Sequence, residues 1–284
     1  MHPITVRPGR FRHDGGVELI ERIERAETEL IWSFGDIPGP GPSLLGLTRR
    51  RFGSVVALAA PRDTLSFWSQ ASGFGLDRPV TSAAIGEVLA YLKAAGCTTA
   101  SLSIAPSALP PDWEAIATSY GITAGQTTVQ VVHAAAPIVQ APSDFRIEPI
   151  GPRYADVWAR LQVDAYEMHD DGFRAMLAAY TDWPGVTAYA AWDGDTMVAT
   201  GSLHVVDGVG RLRSGATHPA HRGRGAQSAL LTRRVADAFA QGCDLVTTGS
   251  YKPEPGRHNP SLANLLRLGF EALTERTPQI WRLS

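Results

Sequence analysis

Apolar residues recur at helical spacing over 17–32, where Val17, Ile20, Ile23, Leu30 and Ile31 fall near one face, so the chain is expected to open its first ordered part with an amphipathic helix. Short runs rich in β-branched and apolar residues then predict strands over 54–60 and 64–70. A helix is expected over 81–96, started by Thr81/Ser82 and stopped by Gly96. A strand over 98–105, a short proline-initiated helix over 110–121 and a strand over 127–134 follow. The rest of the chain repeats this grammar. A strand over 145–150 precedes helices over 151–167 and 173–183. Residues 186–217 read as an antiparallel meander, with turns at Asp193-Gly194 and Asp207-Gly208. Then come a Gly/Arg loop, a helix over 228–242, a strand over 243–250, a helix over 260–269 and a strand at 279–284.

The two halves align on one another. Sliding by 146 residues, Ser82-Ala83 falls on Ser228-Ala229, Ala90 on Ala236, and Gly96-Cys97 on Gly242-Cys243. After a two-residue adjustment, Tyr120-Gly121-Ile122 meets Leu268-Gly269-Phe270. The segment 133–144, rich in Ala and Pro, reads as a linker. The expected organisation is therefore α+β: two tandem units, each a mixed, mainly antiparallel sheet flanked by helices. Their expected bounds are 1–132 and 145–284.

The chain has 284 residues, enough for two domains with their own cores, and a formal net charge of −2. That charge gives no global nucleic-acid footprint, and the scattered tryptophans form no stacking platform. Two cysteines, Cys97 and Cys243, provide no disulfide framework and no zinc spacing. No apolar run of about 18 residues and no leader pattern is seen. The expectation is a cytoplasmic protein with no membrane and no metal.

The stretch "THPAHRGRGAQSALL", 217–231, carries the candidate chemistry. Gly223 and Gly225 let the backbone turn tightly and approach a ligand, Arg222 and Arg224 favour anions, and a helix starts at once. Successive N–H groups from Gly223 through Ala226 and Gln227 to Ser228 can form a nest for a diphosphate, with Ser228 a plausible cap. A P-loop is excluded, because GxxxxGK[ST] is missing. A Rossmann turn is excluded, because the preceding meander is antiparallel.

Residues 146–284 resemble the GNAT family, the GCN5-related N-acetyltransferases. The resemblance rests on Arg222-Gly223-Arg224-Gly225-Ala226-Gln227 at the family's R/Q-x-x-G-x-G/A loop, on Thr217-His218-Pro219 before it, and on "LLRLGF" ending at Phe270. Gln227 departs from the usual Gly or Ala. The resemblance implies acetyl-CoA as co-substrate, its diphosphate on the loop. It also implies transfer to an amine acceptor, a small molecule or a peptide, by direct attack in a ternary complex. A backbone N–H of Gly215, Ala216 or Thr217 would then bind the thioester carbonyl. A non-catalytic acyl-CoA sensor or a scaffold is the alternative. In the first half, Asp77 and Pro79 fall on the loop glycines; an aspartate repels phosphate and a proline has no N–H to donate, so that half is expected to have lost the cofactor.

The resemblance also implies that Asn259 and Asn264 reach the cofactor; a turn at Asn259-Pro260 is the other reading. The family's tyrosine acid, four residues before the glycine of "GF", is Leu265 here. Tyr251 is the candidate replacement, or an ordinary loop aromatic. Arg211 and Arg213 share one strand face and cannot serve as bases; they bind an acceptor anion or are solvated. The acidic stretch with Asp164, Tyr166, Glu167, His169 and Asp170 could seat a cationic amine and supply a base from Asp164 or Glu167; equally, it could be a polar loop.

Overall fold

The computed structural model describes residues 15–134, 138 and 143–283. The first half contains α1 (Gly15–Ser33), α2 (Gly41–Leu45), β1 (Thr48–Phe52), β2 (Val55–Ala59), β3 (Gln70–Phe74) and α3 (Ser82–Ala94). It continues with β4 (Thr99–Ile104), α4 (Trp113–Ser119), β5 (Ile122–Ala124) and β6 (Thr128–Ala134). The second half contains β7 (Arg146–Ile150), α5 (Ala155–Tyr166), α6 (Asp171–Ala179), β8 (Val186–Asp193), β9 (Thr196–Val206) and β10 (Val209–Thr217). It ends with α7 (Ala226–Ala240), β11 (Leu245–Tyr251), α8 (Pro260–Arg267), β12 (Glu271–Arg276) and β13 (Gln279–Arg282). The mixed α+β architecture with two sheets is as the pattern predicts. No helix among the described residues is long and apolar enough to cross a membrane.

The sheets do not divide where the sequence pattern suggests. One has the order β1-β2-β3-β4-β13-β5, the other β12-β6-β11-β10-β9-β8-β7. The last strand of each half is thus inserted in the sheet of the other. β6 pairs antiparallel with β11 along its whole length, from Ala134↔Leu245 to Thr128↔Tyr251, and with β12 on its other edge. β13 sits antiparallel between β4 and β5. The boundaries at 132 and 145 are corrected accordingly: 128–134 belongs to the second sheet and 279–282 to the first. His133 and Ala134 end a strand rather than open a linker, and 135–137 and 139–142 lie outside the described residues. Val129 and Val131 pack on the α7 side of the second sheet and Val132 on the α1 side, so β6 is a central strand and needs two neighbours.

Helix α1 lies between the sheets. Ile23 and Ala26 pack on Val132, Val209 and Leu245 of the second sheet. Leu30, Ile31 and Phe34 join a core with Val56, Leu58 and Trp68 and with Trp158, Phe173 and Met176. A helix buried on opposite sides has little solvent for its polar groups, so those must find partners. Glu24 pairs with Arg276, Glu27 with Arg211 and Arg213, and Thr28 Oγ1 hydrogen-bonds to Ser72 Oγ at 3.0 Å.

The strand expected at 64–70 is a turn, and the strand begins at Gln70. The Asp63 carboxylate explains this: it accepts from the N–H groups of Leu65, Phe67 and Trp68 at 2.9, 2.7 and 2.6 Å, which holds the backbone curled. Strands β1, β5 and β12 were not expected from the pattern. β1, "TRRRF", is an edge strand whose arginines pair with Asp36 and Glu29, so it has no apolar alternation to read.

Candidate active site

Strands β10 and β11 are parallel neighbours that part. Their pairs run only from Val209↔Leu245 to Arg211↔Thr247, although β10 continues to Thr217 and β11 to Tyr251. Beyond that point Thr248 Oγ1 donates to Leu212 O at 3.0 Å, and then the strands separate. On its other edge β10 keeps pairing with β9, interrupted by a register shift between Arg213 and Ala216. Ser214 in that bulge has a φ of 57°.

The Gly/Arg loop stands where the cleft opens. Gly223 and Gly225 have φ of 77° and 87°, a region glycine enters freely. Gly225 precedes the first turn of α7, and no side chain caps that turn. The leading N–H groups of α7 are therefore available to an anion, aided by the helix dipole. A Cβ on Gly223 would meet nothing within 4 Å, so the loop surface is open there.

Several expected site residues are engaged elsewhere. Arg224 Nη1 donates to Asp193 at 2.6 Å, with its guanidinium 4.7 Å from the Phe145 ring centroid. Arg222 Nε donates to Thr217 O at 3.3 Å. Ser228 is not the cap. It lies inside α7, and its hydroxyl donates to Asn264 Oδ1 at 2.8 Å. Arg267, which the sequence reading did not single out, donates to both Ser228 Oγ and Asn264 Oδ1, at 2.8 and 2.6 Å, and so brings a cation to the first turn of α7. Asn259, rather than Ser261 as the turn reading expects, is the cap of α8: its Oδ1 accepts from Ser261 N and Leu262 N, and its Nδ2 donates to Ser250 Oγ and Tyr251 O. All its polar atoms are occupied, so its assignment to the cofactor is withdrawn.

Gln227 folds back over β10. Its Nε2 lies 2.8 Å from Ala216 O, 3.1 Å from Thr217 Oγ1 and 3.2 Å from Thr200 O. It acts as a clip between loop and strand, a role that the usual Gly or Ala cannot fill.

On the acceptor side, Tyr166 at the end of α5 donates its hydroxyl to Gly215 O at 2.7 Å. The ring is 46 % exposed, but the hydroxyl points inward, and burial pushes its pKa up to about 12. Tyr166 is therefore a neutral group at the bulge and no base. Glu167, in the left-handed region at the end of α5, is exposed, as is Asp164, which lies 3.9 Å from His169. Tyr251 is 57 % exposed at the end of β11. Asp170 does not belong with these. It caps α6 by accepting from Phe173 N at 2.8 Å, and it accepts from Thr64 Oγ1 of the first half at 2.6 Å.

Arg211 and Arg213 are also corrected. Glu27 from α1 lies 2.5 Å from Arg211 Nε and 3.3 Å from Arg213 Nη1. Arg211 is buried, and burial pulls its pKa down while Glu27 opposes the shift. The pair clasps α1 to the second sheet, Arg211 buried and Arg213 partly exposed, both committed to Glu27. Sequence spacing could not reveal a partner some 190 residues away. A further buried cation, Arg234, was missed. It donates to Leu230 O, Ser202 O and Arg213 O at 3.1, 3.2 and 3.1 Å. Its sequence signal was a charge on the apolar stripe of α7, three residues after Leu231. Among the described residues no group of three or more His, Cys, Asp or Glu side chains could hold a metal ion.

The first unit differs at the equivalent place. β3 is still beside β4 at its last residue, Phe74↔Ile104, after a register shift between Ala71 and Phe74. The turn Pro106–Ala108 then packs over Gly75, where a Cβ would lie 2.5 Å from the Ala108 Cβ.

A mixed sheet with two parting parallel strands and an uncapped, glycine-led helix at their mouth defines an acetyltransferase-type fold. Residues 155–270 match the family model described as acetyltransferase (GNAT) family, so this part of the chain carries a GNAT domain. Solved structures resemble it over nearly its full length. A GCN5-related N-acetyltransferase from Kribbella flavida is 17 % identical with a TM-score of 0.65, covering 92 % of this chain and 95 % of that one. A tandem GNAT protein from the clavulanic acid biosynthesis pathway is 15 % identical with a TM-score of 0.59, covering 95 % and 96 %. A GCN5-related N-acetyltransferase from Sphaerobacter thermophilus is 12 % identical with a TM-score of 0.58, covering 92 % and 93 %. At these identities the likeness concerns the fold, here two GNAT-like units in tandem. No match to the chain is found among curated proteins.

Proposed function

We propose that the protein transfers an acetyl group from acetyl-CoA to an amine, a small molecule or peptide, by direct attack in a ternary complex in the cytoplasm. The observation that carries this reading is the parting of β10 and β11 after Arg211↔Thr247, beside the uncapped start of α7. Acetyl-CoA supplies an activated acyl thioester. The N–H groups from Gly223 to Ser228 would hold its diphosphate. Arg267, bonded to Ser228 and Asn264, adds positive charge beside them. The Gly215–Thr217 backbone would face the acyl carbonyl. Glu167 and Asp164, exposed beyond Tyr166, would receive the acceptor's proton directly or through water. Tyr251 would protonate the departing thiolate. Both cysteines are buried and free, in keeping with a reducing compartment.

One observation favours a second reading, an acyl-CoA sensor. The position of the family's acid is Leu265, and it is 3 % exposed, so α8 presents no acid to the cleft. Calorimetric titration with acetyl-CoA, followed by thiol release with a panel of primary amines, separates the two. Binding with release supports the enzyme. Binding without release supports the sensor. No binding overturns both.

A further inference from the structure

Six consecutive carbonyls of β10 each accept a hydrogen bond from a side chain. Leu212 O takes Thr248 Oγ1 at 3.0 Å, Arg213 O takes Arg234 Nη1 at 3.1 Å, and Ser214 O takes Thr200 Oγ1 at 3.0 Å. Gly215 O takes the Tyr166 hydroxyl at 2.7 Å, Ala216 O takes Gln227 Nε2 at 2.8 Å, and Thr217 O takes Arg222 Nε at 3.3 Å. The donors come from β11, α7, β9, α5 and the loop. Most side-chain hydrogen bonds in proteins go to isolated backbone groups, and strand carbonyls ordinarily accept from neighbouring strands. Here Ser214 and Gly215 have left the β9 ladder, and side chains from Thr200 and Tyr166 hold their carbonyls.

The 214–215 peptide stands out among them. Neither residue pairs with β9, where the register breaks between Arg213 and Ala216, and neither pairs with β11, whose last partner is Arg211. Ser214 O is held from β9 by Thr200, which is fully buried. A trans peptide is planar, so the N–H of Gly215 points opposite to Ser214 O. It therefore points away from the Thr200 hydroxyl. Within one hydrogen-bonded chain, the Thr200 hydroxyl also polarises that peptide and strengthens its N–H as a donor.

We propose that Thr200 is a positioning residue for acyl transfer: by donating to Ser214 O it aims the Gly215 N–H into the cleft, where that N–H meets the acyl carbonyl. The inference rests on the acetyltransferase reading and narrows it to one donor among Gly215, Ala216 and Thr217. It also gives Gln227 a purpose: its amide donates to both Ala216 O, two carbonyls beyond Ser214 O, and Thr200 O, and so holds the far side of the bulge to β9.

The test compares wild type, Thr200→Val and Thr200→Ser in the full chain. Valine keeps the shape and removes the hydroxyl; serine keeps the hydroxyl. The readouts are acetyl-CoA affinity, thiol release with the amine panel, and the infrared carbonyl band of bound [1-13C]acetyl-CoA. Wild type and Thr200→Ser should shift the band to lower frequency than free acetyl-CoA. Thr200→Val should lose at least half of that shift and about tenfold in thiol release, with affinity within threefold, since a lost oxyanion donor costs about 100–1,000-fold and this residue acts through one. An unchanged band in a folded Thr200→Val, or an equal loss in Thr200→Ser, overturns the proposal. If valine prevents folding, Thr200→Ala, which also lacks the hydroxyl, takes its place in the same comparison and with the same expected loss. Failure of wild type to bind acetyl-CoA overturns the underlying reading instead.

Discussion

Ala108 packs onto Gly75 at the end of the first unit's parallel strand pair, so closely that a Cβ on Gly75 would lie 2.5 Å from its Cβ. The contact fills the place where the second unit's strands stand apart. With Phe74 still paired to Ile104, these two strands do not part as β10 and β11 do. Asp77, on the loop that follows, is 3.7 Å from Arg25 Nη1 rather than facing a ligand. The expected outcome is one coenzyme A per chain, measured by calorimetry or native mass spectrometry. Two sites would show that the first unit has kept its function.

Gly225→Asp should weaken acetyl-CoA binding at least tenfold, about 1.4 kcal/mol. Two effects act together. The residue has φ of 87°, which strains any residue with a Cβ, and the carboxylate adds negative charge at a helix start meant for an anion. Circular dichroism should show the fold retained. Unaltered affinity in that folded variant removes the loop from the cofactor site.

Asp170 and Glu167 should separate in their phenotypes. Asp170→Ala removes the cap of α6 and the bond to Thr64, so the melting temperature should fall by the equivalent of about 1–2 kcal/mol. Glu167→Gln touches no described partner, so stability should hold while acceptor KM rises or kcat falls. A kinetic defect confined to the acceptor in Asp170→Ala would return that residue to the site.

The sequence made the second unit legible because its signals are local. The loop, the apolar stripe of α7 and the Asp207-Gly208 turn, with φ of 47° and 73°, each need only neighbouring residues. The repeat was legible too: Gly96 and Gly242 both follow their helices with φ near 90°, as do Gly121 and Gly269 at 65° and 88°. What stayed hidden was non-local. "TTVQVVHA" reads as a strand whichever sheet receives it. Arg211 and Arg213 read as acceptor-binding or solvated until Glu27, far off in the chain, is brought to them. Thr200 carried no signal at all, since its role depends on a bulge in the neighbouring strand.

His204 should make stability fall below neutral pH. It is 1 % exposed, between the rings of Tyr180 and Trp183, and burial together with Arg213 and Arg211 holds its pKa well below the ordinary value. The folded state therefore refuses a proton that the unfolded chain accepts near pH 6.5. Its contribution is whole above that pH and is lost as pH falls toward the folded value, by up to about 1.4 kcal/mol per unit. Urea unfolding at pH 7.5 and 5.5 should show the loss in wild type and a smaller one in His204→Gln. Equal slopes in the two proteins would contradict the assignment.

The exchanged strands make each half incomplete without the other. Removing residues 1–138 takes β6 from between β11 and β12, unpairing seven residues of β11 and leaving two raw edges about two strand spacings apart. It also strips α1 from Val209 and Leu245, exposing that apolar face, and takes Glu27 and Glu24 away from Arg211 and Arg276. Residues 139–284 alone would in turn carry β13 with no sheet to enter. Each half expressed separately should therefore aggregate, whereas co-expression should yield a soluble one-to-one complex that binds acetyl-CoA like the intact chain. A monomeric, cooperatively melting second half would mean that β6 is dispensable and that the second sheet can close without it.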